Sequence, residues 1–143
     1  MTYRFLCEKD VCEIEKTWHN FSDRWSEKQM LSSFNSGRFV VIGAFNVDTL
    51  VGVICCSTAI PESDLELIFV HEDYRRQGVA HTLMEKAFEA LKDKGVCDMF
   101  LEVRESNLNA VKLYKDTGFN EISKRKNYYS DGETAVVMKK ELL

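Results

Sequence analysis

Asp64–Lys94 reads DLELIFVHEDYRRQGVAHTLMEKAFEALKDK. Leu65–Val70 is an apolar run of strand length. A polar loop follows and ends in Arg75-Arg76-Gln77-Gly78-Val79-Ala80. From Val79 the period changes. Leu83, Ala87 and Leu91 recur every fourth residue beside Ala80, Met84 and Phe88, which makes one broad apolar helical face. Gly95 after Lys94 is a helix stop. A loop of free amides opening a helix suits an anion, because first-turn N–H groups lack intrahelical partners and the helix dipole is positive there. Gly78 permits close backbone approach, Ala80 is small, and Arg75 and Arg76 add positive charge. Taken alone, the pattern also fits an ordinary strand-to-helix turn with solvated arginines. It is neither a Walker loop nor a Gly-x-Gly-x-x-Gly turn.

Downstream, Met99–Val103 reads as a buried strand. Parallel pairing with Leu65–Val70 makes the unit a βαβ crossover. Ser106 or Asn107 caps a short helix through Tyr114 and Lys115. Gly118 is its left-handed stop, and Phe119 follows as its hydrophobic contact. Two strands close the chain, about Glu121–Tyr128 and Thr134–Lys140, with Asp131-Gly132 as the hairpin signal. Upstream, Tyr3–Cys7 is a first strand. Asp10 with Glu13 has capping-box spacing for a helix fading near Asn20. Ser26 with Gln29 repeats the box for a helix over about Glu27–Phe34, with Trp25 and Met30 as its staple. Arg38–Phe45 and Leu50–Ala59 form a hairpin around Asn46-Val47-Asp48. Pro61-Glu62-Ser63 is a turn. The order is β-αα-βββ-α-β-α-ββ, an α/β fold with a mixed sheet.

The bulk numbers agree with one domain spanning 1–143. A chain of 143 residues can bury one sizeable core. The net charge of -4 argues against a broad nucleic-acid surface. No apolar run reaches membrane-spanning length, and the first residues lack a signal-peptide core. The five cysteines include no C-x-x-C pair, so reduced, mostly buried thiols in a cytoplasmic protein are expected. His19, His71 and His81 show no metal spacing, and nothing favours a Cys–His nucleophilic pair.

Five downstream positions are candidates for chemistry. Strand alternation sets Glu102 opposite Leu101 and Val103. One reading pairs it with Arg104 on the same face; the other makes it a general base with a pKa raised by burial. Asn107 is a good helix cap. Tyr114 lies about two turns on and can face the same side; as a residue type it is more often core. Tyr128 and Tyr129 fit cross-strand aromatics.

Arg75-x-x-Gly78-x-Ala80 after a strand, then Asn107-x-x-Ala110-x-x-x-Tyr114-x-x-x-Gly118-Phe119, resembles the GCN5-related N-acetyltransferase (GNAT) superfamily. The chain is similar, within it, to the RimI-type ribosomal-protein alanine N-acetyltransferases. That likeness rests on Phe21–Lys28 with Trp25-Ser26-Glu27, on Asp73-Tyr74-Arg75-Arg76-Gln77-Gly78, on Leu101-Glu102-Val103-Arg104 with Ser106-Asn107, and on Arg125-Lys126-Asn127-Tyr128-Tyr129. It implies a GNAT fold with a partly splayed sheet and acetyl-CoA between the two parallel strands. By match, Ile68, Phe69 and Val70 offer main-chain groups to the pantetheine and acetyl carbonyl. Arg76, Gln77, Gly78, Val79, Ala80 and His81 hold the pyrophosphate, and Asn107 is a coenzyme contact. Glu102 matches the proton acceptor, Tyr114 the proton donor, and Tyr128 and Tyr129 the acceptor groove. No metal, nucleic acid or membrane enters this scheme.

The implied reaction is acetyl transfer to a protein N-terminal α-amine, with a ribosomal protein as substrate. A small-molecule amine or a lysine is the alternative acceptor. A non-catalytic acetyl-CoA-binding module is the alternative of another class, and Glu102 with Tyr114 argues against it. Three departures bear on this. Ala80 replaces a commoner glycine, Phe69 stands where a small residue is frequent, and Asn35–Thr49 matches weakly.

Overall fold

The structure is a computed structural model describing residues Met1–Leu143. Its elements are β1 (Thr2–Phe5), α1 (Val11–Thr17), α2 (Glu27–Ser36), β2 (Phe39–Asn46), β3 (Thr49–Ala59), β4 (Glu62–Val70), α3 (Val79–Asp93), β5 (Asp98–Arg104), α4 (Leu108–Asp116), β6 (Asn120–Arg125) and β7 (Ala135–Glu141). The element order is the one read from the sequence. The strands form one seven-stranded sheet, β1-β2-β3-β4-β5-β7-β6, in which β4 and β5 alone run parallel. One apolar cluster lies between the sheet and the α3/α4 layer, around Leu83, Met84, Leu91, Met99, Phe119 and Met138. The other lies under α1 and α2, around Ile14, Trp18, Met30, Val53 and Phe69.

Local chemistry explains the boundaries. The second box forms as expected: Ser26 Oγ accepts from Gln29 N, and Gln29 Oε1 accepts from Ser26 N. The first begins three residues early. Asp10 does not cap with Glu13; its carboxylate accepts from Cys7 N at 2.8 Å and pairs with Arg4 at 2.9 Å. A short 3-10 turn, Glu8–Asp10, therefore precedes α1. The α4 stop is a Schellman closure: Phe119 N donates to Tyr114 O at 2.9 Å and Gly118 (φ 104) N to Lys115 O. At the other hairpin, β4 starts directly at Glu62, so the turn is Ile60-Pro61. Only Cys55 and Cys56 are buried; Cys7 and Cys12 are exposed. Burial raises the thiols of both buried cysteines, that of Cys56 to about 12.

Two features of β4 position the site. Its register against β3 passes from Cys55↔Leu67 to Cys56↔Leu65, so Glu66 is an extra, bulged residue. The bulge exchanges faces. Leu65 packs into the α3/α4 cluster, whereas Leu67 and Phe69 pack under α1 and α2. Pairing with β5 also stops early. Glu62↔Asp98, Ser63↔Met99 and Asp64↔Phe100 are in register, and beyond them the strands part.

Candidate active site

The loop before α3 presents unpaired main-chain amides. Arg76 and Gly78 both take left-handed backbone, at φ 61 and φ 79. For arginine that conformation costs about 1 kcal/mol, a strain characteristic of functional loops. The first helical donor is Thr82 N, bonding Gly78 O at 3.0 Å. The amides from Arg76 to His81 have no acceptor in the protein. Gly52 seats this end of the helix. A Cβ there would lie 3.2 Å from both Leu83 Cδ1 and Phe69 O, so the glycine lets α3 sit close on β3. The free amides, the helix dipole and Arg76 fit a pyrophosphate.

The gap between β4 and β5 leads away from this cradle. His71 N donates to Val51 O at 2.8 Å, and antiparallel pairing alternates from there along the register Gly52↔Val70, Val53↔Phe69, Ile54↔Ile68. The alternation turns the main-chain groups of Phe69 toward β3 and those of Ile68 and Val70 toward the gap. Phe69 is thus not an open main-chain donor of the kind the resemblance implies. Val70 O already accepts from Arg75 Nε at 2.8 Å. The Phe69 ring faces the α1/α2 side, 4.9 Å from the Phe21 ring and under the Arg75 guanidinium. It walls that side of the gap.

Over β4, β5 and the C-terminal strands, the face on the α1/α2 side is not covered by a helix. There a cleft of about 670 Å³ is lined by Asp64, Glu66, Phe100, Glu102, Arg125, Tyr128 and Tyr129 among others. Glu102 is a third exposed, and its partner is Arg125 at 3.8 Å. Arg104 belongs to another pair, with Asp131 at 2.8 Å and Glu133 at 3.1 Å. The Glu102–Arg104 pair is therefore corrected, and so is the deep burial expected of Glu102. The carboxylate of Glu102 raises the Tyr128 phenol, first through a hydrogen bond. Burial, then the charges of Glu66 and Glu102, raises the Asp64 carboxyl. Tyr128 and Tyr129 are not cross-strand aromatics, because β6 ends at Arg125. They sit in the loop to β7 with rings 5.2 Å apart.

Tyr114 approaches from the opposite side of the sheet. Its ring is buried among the α3/α4 residues, 6.0 Å from Phe119. Burial, with a smaller contribution from Tyr129, pushes its phenol up to about 12. Leu101 and Val103 share its cluster, so Glu102 and Tyr114 reach the parted strands from opposite faces. Asn107 caps α4 by accepting from Ala110 N at 3.2 Å. That uses its Oδ1 and leaves its Nδ2 for another partner.

The profile of the Acetyltransferase (GNAT) domain matches residues 7–142. The chain belongs to the GNAT acetyltransferase family. The [ribosomal protein bS18]-alanine N-acetyltransferase of Escherichia coli (strain K12) is 37% identical over 129 residues, 87% of this chain and 84% of that protein. The crystal structure of the ribosomal-protein-S18-alanine N-acetyltransferase from Escherichia coli superposes with a TM-score of 0.89 at 31% identity, covering 99% of this chain and 93% of the other. Ard1 from Thermoplasma volcanium gives 0.85 at 27% identity, over 99% and 97%. This GNAT protein is an N-acetyltransferase of the RimI type, and its splayed sheet is the GNAT fold the motifs imply.

The cleft of this acetyltransferase also contains residues that motif reading passed over. Asp64 is the last β4 residue paired with β5, Glu66 is the bulged residue two positions on, and Arg125 reaches Glu102 from β6. Asp131 and Glu133 tie the tyrosine loop to Arg104. Alternation along DLELIFV signals the first two as polar positions in a core strand. Nothing in local sequence signals the rest, because their partners come from other elements.

Proposed function

We propose that this acetyltransferase transfers acetyl from acetyl-CoA to a protein N-terminal α-amine, in one ternary complex. The leading acceptor is the N-terminal alanine of a ribosomal protein. One observation carries the reading: a cradle of free amides opens onto parted strands, and these open onto a cleft holding Glu102, Tyr128 and Tyr129. The cleft is open on the sheet face and of a size that admits an extended peptide end.

The roles follow from position. The amides of Arg76 to His81 bind the pyrophosphate, with Gln77, Gly78, Val79 and Ala80 shaping the turn. Ile68 and Val70 direct main-chain groups at the pantetheine and acetyl carbonyl, and Phe69 bounds the pocket with its ring. The free Nδ2 of Asn107 contacts the coenzyme. Tyr128 and Tyr129 shape the acceptor groove. A main-chain amide of β4 at the gap stabilises the tetrahedral oxyanion.

An α-amine has a pKa of about 7.7–8.0 and is mostly ammonium near neutrality, when it cannot attack a thioester. Glu102 takes its proton, directly or through water. The amine nitrogen forms the new C–N bond, the C–S bond breaks, Tyr114 protonates the departing thiolate, and the second nitrogen proton, shed as the amide forms, restores the Tyr114 phenol through water. The chemistry calls for no covalent enzyme intermediate and no metal. The acidic lining of the cleft matches a positively charged peptide end, and the cytoplasm, where ribosomal proteins are made, is the proposed compartment.

The test is an acceptor screen with acetyl-CoA: Ala-starting peptides, blocked peptides carrying lysine, and free polyamines, with mass spectrometry placing the acetyl group. Acetylation of the peptide α-amine, lost about a hundredfold in Glu102→Gln, is the expected result. Acetylation of polyamines or lysine side chains alone refutes it, and coenzyme binding without turnover on any amine selects the binding-module reading.

A further inference from the structure

We infer that Glu133 is a positioning residue for acceptor recognition: it fastens the Tyr128–Tyr129 loop to the end of β5 and the start of α4. The inference rests on the acceptor reading of the cleft.

The loop from Lys126 to Thr134 has few other restraints. Its other main-chain bonds are Gly132 N to Tyr129 O at 2.8 Å and, at its far end, Glu105 N to Thr134 O at 3.0 Å, and Asn127 sits at φ 53. Its main chain closes on Glu133, whose carbonyl accepts from both Tyr128 N and Tyr129 N at 3.2 Å. The Glu133 carboxylate reaches two further elements. Oε1 accepts from Ser106 N at 3.0 Å and from Ser106 Oγ. Oε2 accepts from Arg104 Nη1 at 3.1 Å. The same Arg104 nitrogen donates to Asp131 Oδ2 at 2.8 Å, and the guanidinium stacks 4.1 Å from the Tyr129 ring centre. Ser106 precedes the α4 cap Asn107, and Arg104 lies two residues beyond Glu102 on one strand face.

One carboxylate therefore joins the three segments that carry the proposed base, the proposed proton donor and the acceptor wall. Without it, Arg104 keeps Asp131 but loses its link to Ser106, and the tyrosines lose their fixed distance from Glu102. The cradle at Arg76–His81 and the α3 core do not touch this network. Its loss should therefore act chiefly on the acceptor and reach the coenzyme only through Asn107, which follows Ser106. Glu133 and Asp131 both carry carboxyls held below the ordinary range, that of Glu133 mainly by Ser106 and that of Asp131 first by the Glu133 amide. The network is thus fully ionised across the working pH of an amine acetyltransferase.

The experiment compares wild type, Glu133→Ala and Glu133→Gln with an Ala-starting peptide. It measures kcat, both KM values, melting temperature and amide hydrogen exchange over 126–134. Glu133→Ala is expected to raise the peptide KM about tenfold and to speed loop exchange, since charge-assisted bonds are lost. The acetyl-CoA KM should stay within about twofold. Glu133→Gln keeps an acceptor for Ser106 but not the charge facing Arg104, and should fall between; it carries the test if the alanine variant does not fold. An unchanged peptide KM with unchanged loop exchange overturns the inference. So does a parallel fall of kcat, both affinities and melting temperature, which marks a general structural role. Wild type inactive on every peptide refutes the acceptor reading itself, whereas active wild type with an indifferent Glu133→Ala refutes only this inference.

Discussion

Tyr114→Phe separates structure from chemistry at one atom. The phenylalanine keeps the ring that packs against Phe119 and removes only the hydroxyl. That oxygen makes no hydrogen bond within the protein, and it is not a fully buried orphan, a status held by Trp18 Nε1 alone. The substitution should therefore change stability at pH 7 by no more than about 0.5 kcal/mol. Activity should respond differently. If Tyr114 protonates the departing thiolate, kcat falls about a hundredfold or more, while both KM values hold.

The pH dependence gives a second, independent readout. Burial raises the phenol from 10.0 to about 12. From about pH 10 an unfolded tyrosine releases its proton, whereas the folded one holds it until about 12. The unfolded state then binds fewer protons, so stability falls as pH rises through this window, by about 3 kcal/mol in total. That loss should vanish in Tyr114→Phe. Urea midpoints from pH 8 to pH 12 measure it, and stopped-flow turnover from pH 6 to pH 10.5 follows the chemistry. Wild-type activity should rise with amine deprotonation near pH 8 and show no alkaline fall from Tyr114 below about pH 11. A kcat within twofold of wild type, or identical alkaline destabilisation in both proteins, refutes the reasoning.

Two further outcomes can be measured directly. Asp64→Asn combined with Glu66→Gln should raise KM about tenfold for peptides with Lys or Arg after the first residue, and flatten its salt dependence; equal effects on acidic and basic peptides would contradict a charge-selective cleft. Asp10→Asn should cost about 0.5 kcal/mol at pH 7, because the substitution removes the charge that pairs with Arg4 while its amide oxygen still accepts from Cys7 N. The Asp10 carboxyl is lowered, chiefly by Arg4. Its contribution is therefore present above the ordinary aspartate pKa and lost as pH falls below about 4, so denaturant midpoints of the two proteins should converge near pH 2.

Much of the fold is local physics and was legible in the sequence. The period change at Val79, the Ser26–Gln29 box and the Gly118-Phe119 stop each involve residues within a few positions of one another, and each formed. Boundaries shifted where a distant partner intervened. Asp10 turned back to Arg4 and Cys7, which moved the first helical turn upstream. The β6–β7 strands stopped short because Glu133 and Arg104 bind the loop between them. The cradle was legible for the same local reason that helices have unpaired first amides.

By itself, the sequence determined the element order, the loop of free amides before α3 and the family, through residues whose spacing encodes their own geometry. Tertiary structure alone decided which face each site residue meets. The bulge at Glu66 exchanges the faces of β4, and the early end of β4–β5 pairing opens the gap. Pairing across the sheet gives Glu102 to Arg125 and Arg104 to Glu133. Register and ion-pair choice depend on segments far apart in the chain. For that reason Asp64–Lys94 announces a phosphate cradle but not the cleft across the sheet, where Glu102 lies.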